Sequence, residues 1–210
     1  FAGYCYATVE NGEQTWMAEN LRTSIIEVND SSFCNSEFGS LPPCYWDLDT
    51  TYNSIIKMYN SNFENNLYGR LYHSNLVGTS SGIELHICPD GWHIPSIDDF
   101  ITLSIYLDSP IENQTGTGYY NGYSILSDKL RDNKDGYWID DTTANNLSGF
   151  SALPSGYFHN ATQHYNVGKA SYFWLLNSED SPSGKTVVMI FPETVGTTYG
   201  VSISPLFSSN

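Results

Sequence analysis

The sequence predicts an α+β fold with a mainly antiparallel sheet, two helices and long loops. Three observations predict it: alternating apolar segments towards both ends of the chain, two segments with helical spacing between them, and turn residues at most boundaries. Strands that precede and follow a helical region favour an antiparallel sheet, because parallel strands would alternate with helices. The 210 residues are expected to form a single domain over 1–210, with a loop insertion at 29–67.

The first elements are strands. Residues 3–9 and 14–21 alternate between apolar and polar side chains, which is typical of strands that bury one face. Residues 29–67 are polar and rich in asparagine, so we interpret them as the loop insertion.

A rigid corner follows at residues 88–96. Pro89 and Pro95 each fix φ near about −65°, and Gly91 can adopt a positive φ, so the segment predicts a tight turn. Ser96 and Asp99 have the spacing of a capping box, with Asp in place of Glu. The corner therefore predicts the start of an amphipathic helix.

The remaining elements are two helices and four strands. The helices are predicted over 96–107 and 123–131, where apolar residues recur at helical spacing. Gly, Asn, Ser and Pro turns separate the strands, which are predicted over 149–158, 170–176, 186–191 and 199–203.

Charge argues against two classes of partner. The chain carries 23 Asp and Glu residues against 8 Lys and Arg, a formal net charge of −15. Nucleic-acid binding depends on Lys and Arg that neutralise phosphates, so no nucleic-acid partner is expected. An anionic membrane surface is disfavoured for the same reason. No apolar run reaches the roughly 18 residues of a membrane span, so no membrane insertion is expected.

Four cysteines allow two disulfides in three possible pairings. Cys34 and Cys44 bracket a short loop that a disulfide closes easily, and Cys5 and Cys88 would then join the first strand to the corner. Either bond implies an oxidising setting outside the cytoplasm. A metal site is the competing interpretation, and the scattered spacing with no Cys-x-x-Cys pair argues against it.

The motifs of common enzymes are incomplete. Residues 78–82 match the Gly-x-Ser-x-Gly pattern of hydrolases, but the next residues alternate like a strand where a nucleophile elbow needs a helix. The five histidines include no His-x-x-x-His pair for zinc. No two carboxylates stand out as a glycosidase pair. The sequence predicts that the protein is not an enzyme.

Five blocks in a fixed order resemble one known family, the Fibrobacter succinogenes major paralogous domain. The blocks cover residues 14–21, 68–72, 88–96, 149–156 and 173–174. Members occur in secreted and surface proteins, many from Bacteroidetes and Fibrobacter. The resemblance implies a C-type lectin-like form of the α+β fold, located extracellularly or at the cell surface. A family implies a fold more firmly than a function.

Two departures from the family concern its disulfides. Members usually end in a strand that reads Ser-Val-Arg-Cys, where residues 202–205 read Ser-Ile-Ser-Pro. Members often carry a cysteine shortly before the block at 68–72, and residues 59–67 contain none. The usual disulfide arrangement of the family therefore does not carry over.

The resemblance implies that the C-terminal half displays the ligand-binding face. Tyrosine, of which the chain has 16, suits such a surface because its ring stacks while its hydroxyl forms hydrogen bonds. A protein of an AT-rich genome would show the same composition without a binding role. Phe173 and Trp174 match a family block and are expected in the core. The candidate ligand-binding residues are Tyr157, His159, Asn160, His164, Tyr165 and Asn177.

Calcium is the one cofactor that the sequence raises. Asn177, Glu179 and Asp180 lie where C-type lectins place their calcium loop, and calcium prefers loop oxygens. Glu179 and Asp180 are the candidate metal ligands, and solvated turn residues are the alternative. The Glu-Pro-Asn and Gln-Pro-Asp signatures of sugar-binding C-type lectins are absent.

The expected function is recognition without catalysis. The first hypothesis is an extracellular adhesion module that binds a glycan or a surface protein. The second is a structural subunit or tip protein of an extracellular filament or phage fibre, which would use the same scaffold for self-association. Strand-rich surfaces of low charge density suit both.

Overall fold

A five-stranded antiparallel sheet organises the fold. The computed structural model describes residues 5–22, 27–28, 45–47, 68–72, 85–114, 119–134, 136–139, 141–159, 163–177, 185–192 and 199–205. The strands in these ranges are β1 Thr8–Asn11, β2 Gln14–Met17, β3 Glu27–Val28, β4 Tyr45–Asp47, β5 Arg70–Tyr72, β6 Leu85–His86, β7 Glu112–Asn113, β8 Tyr120–Tyr123, β9 Tyr157–His159, β10 Gln163–Tyr165, β11 Ser171–Leu176, β12 Lys185–Ile190 and β13 Tyr199–Pro205. The helices are α1 Ile97–Tyr106 and α2 Ser124–Leu130.

The main sheet has the strand order β11-β12-β13-β8-β7, and every adjacent pair is antiparallel. Four further antiparallel pairs stand apart from it: β1 with β2, β3 with β6, β4 with β5, and β9 with β10. The α+β class with antiparallel sheet and two helices is therefore confirmed in the described parts of the chain.

The core lies between one face of the main sheet and the two helices. Strand β12 shows the alternation directly, since Thr186, Val188 and Ile190 are buried while Val187 and Met189 are half-exposed. A single apolar cluster fills the core and comprises Phe100, Leu103, Leu107, Ile111, Leu126, Leu130, Trp138, Phe150, Ala152, Leu175, Val188, Ile190, Val201 and Ile203.

Helix α1 begins as the sequence predicts. The Asp99 amide donates to Ser96 Oγ (3.1 Å), and the Asp99 carboxylate accepts from the Ser96 amide (2.8 Å), which completes the capping box. The corner before it turns at Gly91, whose φ is +81°. Neither α1 nor α2, nor any other described segment, is a helix long and apolar enough to cross a membrane.

Three predicted strands differ from the observed ones by more than two residues, and one of them is the second strand, which is predicted over 14–21 and ends at Met17. Of the first strand, predicted over 3–9, the described residues 5–7 are irregular and the observed strand covers 8–11, where a turn at Gly12 folds it back onto β2. Residues 149–156 are buried but irregular, and β9 starts only at Tyr157. The positive φ angles of Gly149, Ser151 and Gly156 break the extended conformation there. Of the predicted insertion, only 45–47 lies within the described residues.

Arg131 connects α2 to the segment after it. Its side chain is fully buried and forms ion pairs with Asp128 and Asp141. It also donates to Thr143 Oγ1 (2.9 Å), and its guanidinium lies 5.2 Å from the ring centroid of Trp138. A buried cation with two carboxylates and a hydroxyl is compensated, so it fixes residues 141–143 against the helix.

The expected disulfide between Cys5 and Cys88 is wrong. Both are free thiols; Cys5 is exposed and Cys88 is half-buried. The chain after Cys5 is held against β2, where the Ala18 amide donates to the Ala7 carbonyl (2.9 Å). Cys88 lies in the corner before α1, and burial raises the pKa of its thiol to about 11. Cys34 and Cys44 lie outside the described residues.

Candidate ligand-binding surface

The β9–β10 hairpin is anchored to the edge of the main sheet at Gly156. Its amide donates to the Ala170 carbonyl (2.9 Å), just before β11. Its φ is +66°, and a Cβ atom there would lie 2.1 Å from the carbonyl oxygen of Tyr165. Only glycine fits such a position, so this residue sets how closely the hairpin approaches β11.

Three tyrosines meet where the hairpin joins β11, and we call Tyr157, Tyr165 and Tyr172 the tyrosine cluster. Tyr157 and Tyr165 are opposite each other in the hairpin and stack, with ring centroids 5.6 Å apart and an interplanar angle of 25°. Tyr157 also packs at 57° against Tyr172, 4.8 Å away. Tyr165 is 40% exposed and offers its ring to solvent.

A hydrogen bond fixes the inner tyrosine. Asn166 Nδ2 donates to the Tyr172 hydroxyl oxygen (2.6 Å). Asn166 has a φ of +59°, a conformation that asparagine tolerates better than most residues. Burial raises the pKa of Tyr172 and outweighs the opposite effect of this bond, so the hydroxyl stays neutral.

His164 supports the hairpin from the buried side. Its Nε2 lies 2.7 Å from the Ser155 carbonyl oxygen. A carbonyl only accepts, so Nε2 carries the proton and donates. Burial lowers the pKa of His164 despite this bond, which keeps the ring neutral at physiological pH.

A cavity of about 990 Å³ adjoins the cluster. Small-molecule sites occupy about 300–1,000 Å³, so its size suits a ligand. Aromatic and aliphatic side chains dominate its walls, which include Trp16, Trp92, Phe150, Tyr157, Tyr172 and Trp174. Its described lining also includes the charged residues Glu13, Glu19, Arg70 and Asp99. The arrangement is typical of a site that binds by packing and is oriented by a few polar groups.

Trp174 forms part of the cavity wall rather than of the core. The sequence predicts core positions for both Phe173 and Trp174, and the prediction is wrong for Trp174. Strand alternation directs Phe173 towards Phe150 in the core, with ring centroids 5.4 Å apart. Trp174 lies on the opposite face and donates its indole N–H to the Tyr72 carbonyl (2.9 Å).

The structure brings some predicted site residues together and separates others. Tyr157 and Tyr165 lie side by side on one face of the hairpin, and His164 lies on the opposite face. His159 is in β9 with a side chain outside the description, and Asn160 lies outside the described residues. Asn177 follows the far end of β11, about 17 Å from Tyr172 at roughly 3.3 Å per residue. Its Oδ1 accepts from Thr186 Oγ1 (2.6 Å), so it ties β11 to β12.

The predicted calcium ligands Glu179 and Asp180 lie outside the described residues. Within the parts of the chain that are described, no three His, Cys, Asp or Glu side chains gather as a metal site.

Sequence reasoning left two members of the surface outside its list of ligand-binding residues. Tyr172 completes the tyrosine cluster, and Asn166 holds it in place. Two signals could have found them. Tyr172 faces away from Phe173 by strand alternation, and Asn166 precedes Val167-Gly168, a turn typical of asparagine with positive φ.

Fold and surface together define an α+β domain with an aromatic surface at one edge of its sheet. Within that class, the chain belongs to the Fibrobacter succinogenes major domain family, whose model matches residues 9–203. The resemblance carried by the five sequence blocks is thereby confirmed. No curated protein and no solved structure matches the chain.

Proposed function

We propose that this domain is a non-catalytic recognition module that binds carbohydrate at the tyrosine cluster and the adjoining cavity. The observation that carries the proposal is the ring of Tyr165, which is 40% exposed and stacks on Tyr157, a residue that lines the cavity. An aromatic face packs against the apolar face of a sugar ring, while the phenol hydroxyl bonds to sugar hydroxyls.

Preorganisation supports this function. Asn166 holds the Tyr172 hydroxyl, and the bond from His164 to the Ser155 carbonyl fixes strand β10, which carries Tyr165, before any ligand arrives. Side chains that are already ordered cost less conformational entropy on binding. The cluster is therefore suited to a ligand that stacks weakly and needs fixed partners.

The proposal extends to the form of the fold and to the location. The family resemblance supports a C-type lectin-like version of the α+β fold, outside the cell or on its surface. A calcium ion held by Glu179 and Asp180 belongs to the same hypothesis. A surface protein is the other ligand class that such a module would recognise.

A glycan array of plant and bacterial polysaccharides, read with calcium and with EDTA, tests the proposal. We expect Tyr165→Ala to weaken binding by about tenfold or more, since stacking contributes about 0.5–1.5 kcal/mol beyond the buried area. Tyr165→Phe keeps the ring and should bind within about threefold of the unmodified protein. Loss of binding in EDTA would point to the acidic residues near Asn177.

Tyr123→Ala is the matched control. Tyr123 is 45% exposed and packs on Tyr199 (5.8 Å between centroids), but it is not part of the tyrosine cluster and does not contact its members. Its replacement should leave glycan binding unchanged. Equal losses for the Tyr123 and Tyr165 variants, or none for Tyr165→Ala, would contradict the assignment. A blank array would redirect the function to a protein ligand.

A further inference from the structure

Strand β11 has an open edge, which follows from the direction of its backbone groups. The Leu176 amide donates to the Pro95 carbonyl (2.9 Å), so it points away from β12. Backbone groups of successive strand residues point to opposite sides. The N–H and C=O groups of Tyr172 and Trp174 therefore point away from β12 as well.

The hydrogen bonds of the neighbouring strand β12 show independently which residues of β11 point towards it. The Phe191 amide donates to the Gly200 carbonyl (2.9 Å), so residues 187, 189 and 191 face β13. Val188 and Ile190 consequently face β11, where they are opposite Phe173 and Ser171. The odd-numbered residues of β11 thus bond to β12, and the even-numbered ones do not.

Both ends of this edge are covered, and its middle is not. The Gly156 amide pairs with the Ala170 carbonyl, and Pro95 pairs with Leu176. Among the described residues, nothing pairs with the outward backbone groups of Tyr172 and Trp174, which are half-buried. The gap extends over residues 172–175, about 13 Å at roughly 3.3 Å per residue. Unpaired strand edges bind other strands readily.

The cavity borders this gap and continues over the outward face of β12 and β13, where Val187 and Ser202 line it. Four consecutive β11 residues line it, from Tyr172 to Leu175, although successive side chains point to opposite faces. A cavity confined to one face would meet only alternate residues. Ser155 and Gly156 border it on one side, and Trp92 and Pro95 border it on the other.

The charged residues that line the cavity indicate the charge of a partner that would bind there. Glu13, Glu19 and Asp99 contribute carboxylates, of which Glu19 already pairs with Arg22 (3.3 Å) and Asp99 already accepts from the Ser96 amide (2.8 Å). Arg70 contributes a cation, and its guanidinium already donates to the Arg22 carbonyl (2.9 Å). The lining residues that the structure describes carry more carboxylates than cations, and the whole chain is also acidic at −15. A ligand that carries Lys or Arg would be attracted to it.

We propose that the open edge of β11 binds an extended, basic peptide segment of a partner protein by strand addition. The peptide backbone would pair with Tyr172 and Trp174, and its alternate side chains would enter the cavity. This inference goes beyond carbohydrate binding and does not depend on it, because it uses backbone groups rather than the exposed Tyr165 ring.

Residue-resolved amide hydrogen exchange by NMR tests the edge without any mutation. In the free protein, we expect Tyr172 and Trp174 to exchange quickly and Phe173 and Leu175 slowly. The probe is the synthetic peptide Lys-Thr-Val-Thr-Lys at about ten times its dissociation constant, which should slow exchange at Tyr172 and Trp174 about tenfold. Slow exchange at all four residues in the free protein would overturn the proposal, as would equal protection by Glu-Thr-Val-Thr-Glu.

Trp174→Pro and Trp174→Val form a matched pair. Both lose the indole, but only proline removes the outward N–H, and proline is tolerated where that group faces away from the ladder. We expect the proline variant to bind the Lys-Thr-Val-Thr-Lys peptide about three- to tenfold more weakly than the valine variant. Near-UV circular dichroism verifies that both fold, and equal affinities would overturn the proposal.

Light scattering after size exclusion distinguishes a second copy of the chain from a partner peptide. A dimer that Trp174→Pro abolishes and Trp174→Val preserves would assign the edge to self-association and overturn the partner-peptide assignment. A monomer that binds the basic peptide supports it. Glycan binding by Tyr165 is measured separately, so failure of the edge and failure of carbohydrate recognition give different results.

Discussion

At the scale of single residues, Gly156 determines whether the hairpin can meet β11. Its positive φ and the close carbonyl of Tyr165 leave no room for a side chain. Gly91 offers a comparison, because its φ is also positive at +81° but nothing lies within 4 Å of a Cβ built there. A comparison of substitutions at these two glycines therefore distinguishes the cost of backbone strain from the cost of steric overlap.

We expect Gly156→Ala to destabilise the protein more than Gly91→Ala. A positive φ costs a non-glycine residue about 1–2 kcal/mol in both variants. Only the Gly156 variant must also push the Tyr165 backbone aside, which also displaces the hairpin. Urea unfolding measures both losses, and equal free energies of unfolding would contradict this reading.

Residue-level features were predictable where they follow from local chemistry. The capping box at Ser96 and Asp99 and the turn at Gly91 need only neighbouring residues. The pairing of Tyr157 with Tyr172 depends on where a hairpin meets a distant strand, so spacing alone could not give it. Sequence spacing likewise does not show which cysteines meet in the fold, and the predicted bond between Cys5 and Cys88 is wrong because both are free thiols.

At the scale of elements, α1 depends on its first turn. Burial alone would raise the pKa of Asp99, but hydrogen bonds from the Ser96 amide and hydroxyl and from His93 lower it overall. A carboxyl with a lowered pKa in the folded state stabilises that state above its unfolded pKa of about 3.9. The contribution is lost as the pH falls through the folded-state value.

Asp99→Asn should therefore change stability in a pH-dependent way. At pH 7, we expect a loss of about 1 kcal/mol, the usual size of a capping contribution. The difference from the unmodified protein should shrink as the pH falls below about 3.9. Asp98→Asn is the control, because this exposed first-turn acid makes no cap bond. A pH-independent difference for Asp99→Asn would contradict the linkage.

Strands and helices with a regular period were predictable, and irregular buried chain was not. Helix α1 repeats its apolar residues at helical spacing, and strands β12 and β13 alternate between buried and half-exposed residues. Residues 149–156 are apolar enough to resemble a strand, but three positive φ angles make them a packed loop. Amino-acid composition does not reveal that a residue such as Ser151 adopts a positive φ.

At the scale of the whole molecule, Arg131 links parts of the chain that local sequence does not connect. It joins α2 to residues 141–143 and forms a bridge with Ala152 in the irregular segment. Nothing in the spacing of Arg131 marks it as buried, since arginine is usually exposed. Its partners become visible only in the fold.

Replacing Arg131 should lower the free energy of unfolding more than most single substitutions do. Arg131→Met leaves Asp128 and Asp141 without their cation, and breaking a buried pair costs about 3–5 kcal/mol. Arg131→Lys should also destabilise the protein, because lysine cannot reach several partners with a planar fork. Thermal unfolding measures both, and a loss below about 1 kcal/mol for Arg131→Met would contradict the role.

The sheet order has a consequence for synthesis. Strand β13 lies in the middle of the main sheet, with β12 on one side and β8 on the other. A ribosome that adds about 5–20 residues per second delivers β8 several seconds before β13. Until residues 199–205 emerge, β7 and β8 have no hydrogen-bonded route to β11 and β12. The main sheet can therefore be completed only after the last described strand has been synthesised, however early its other strands emerge.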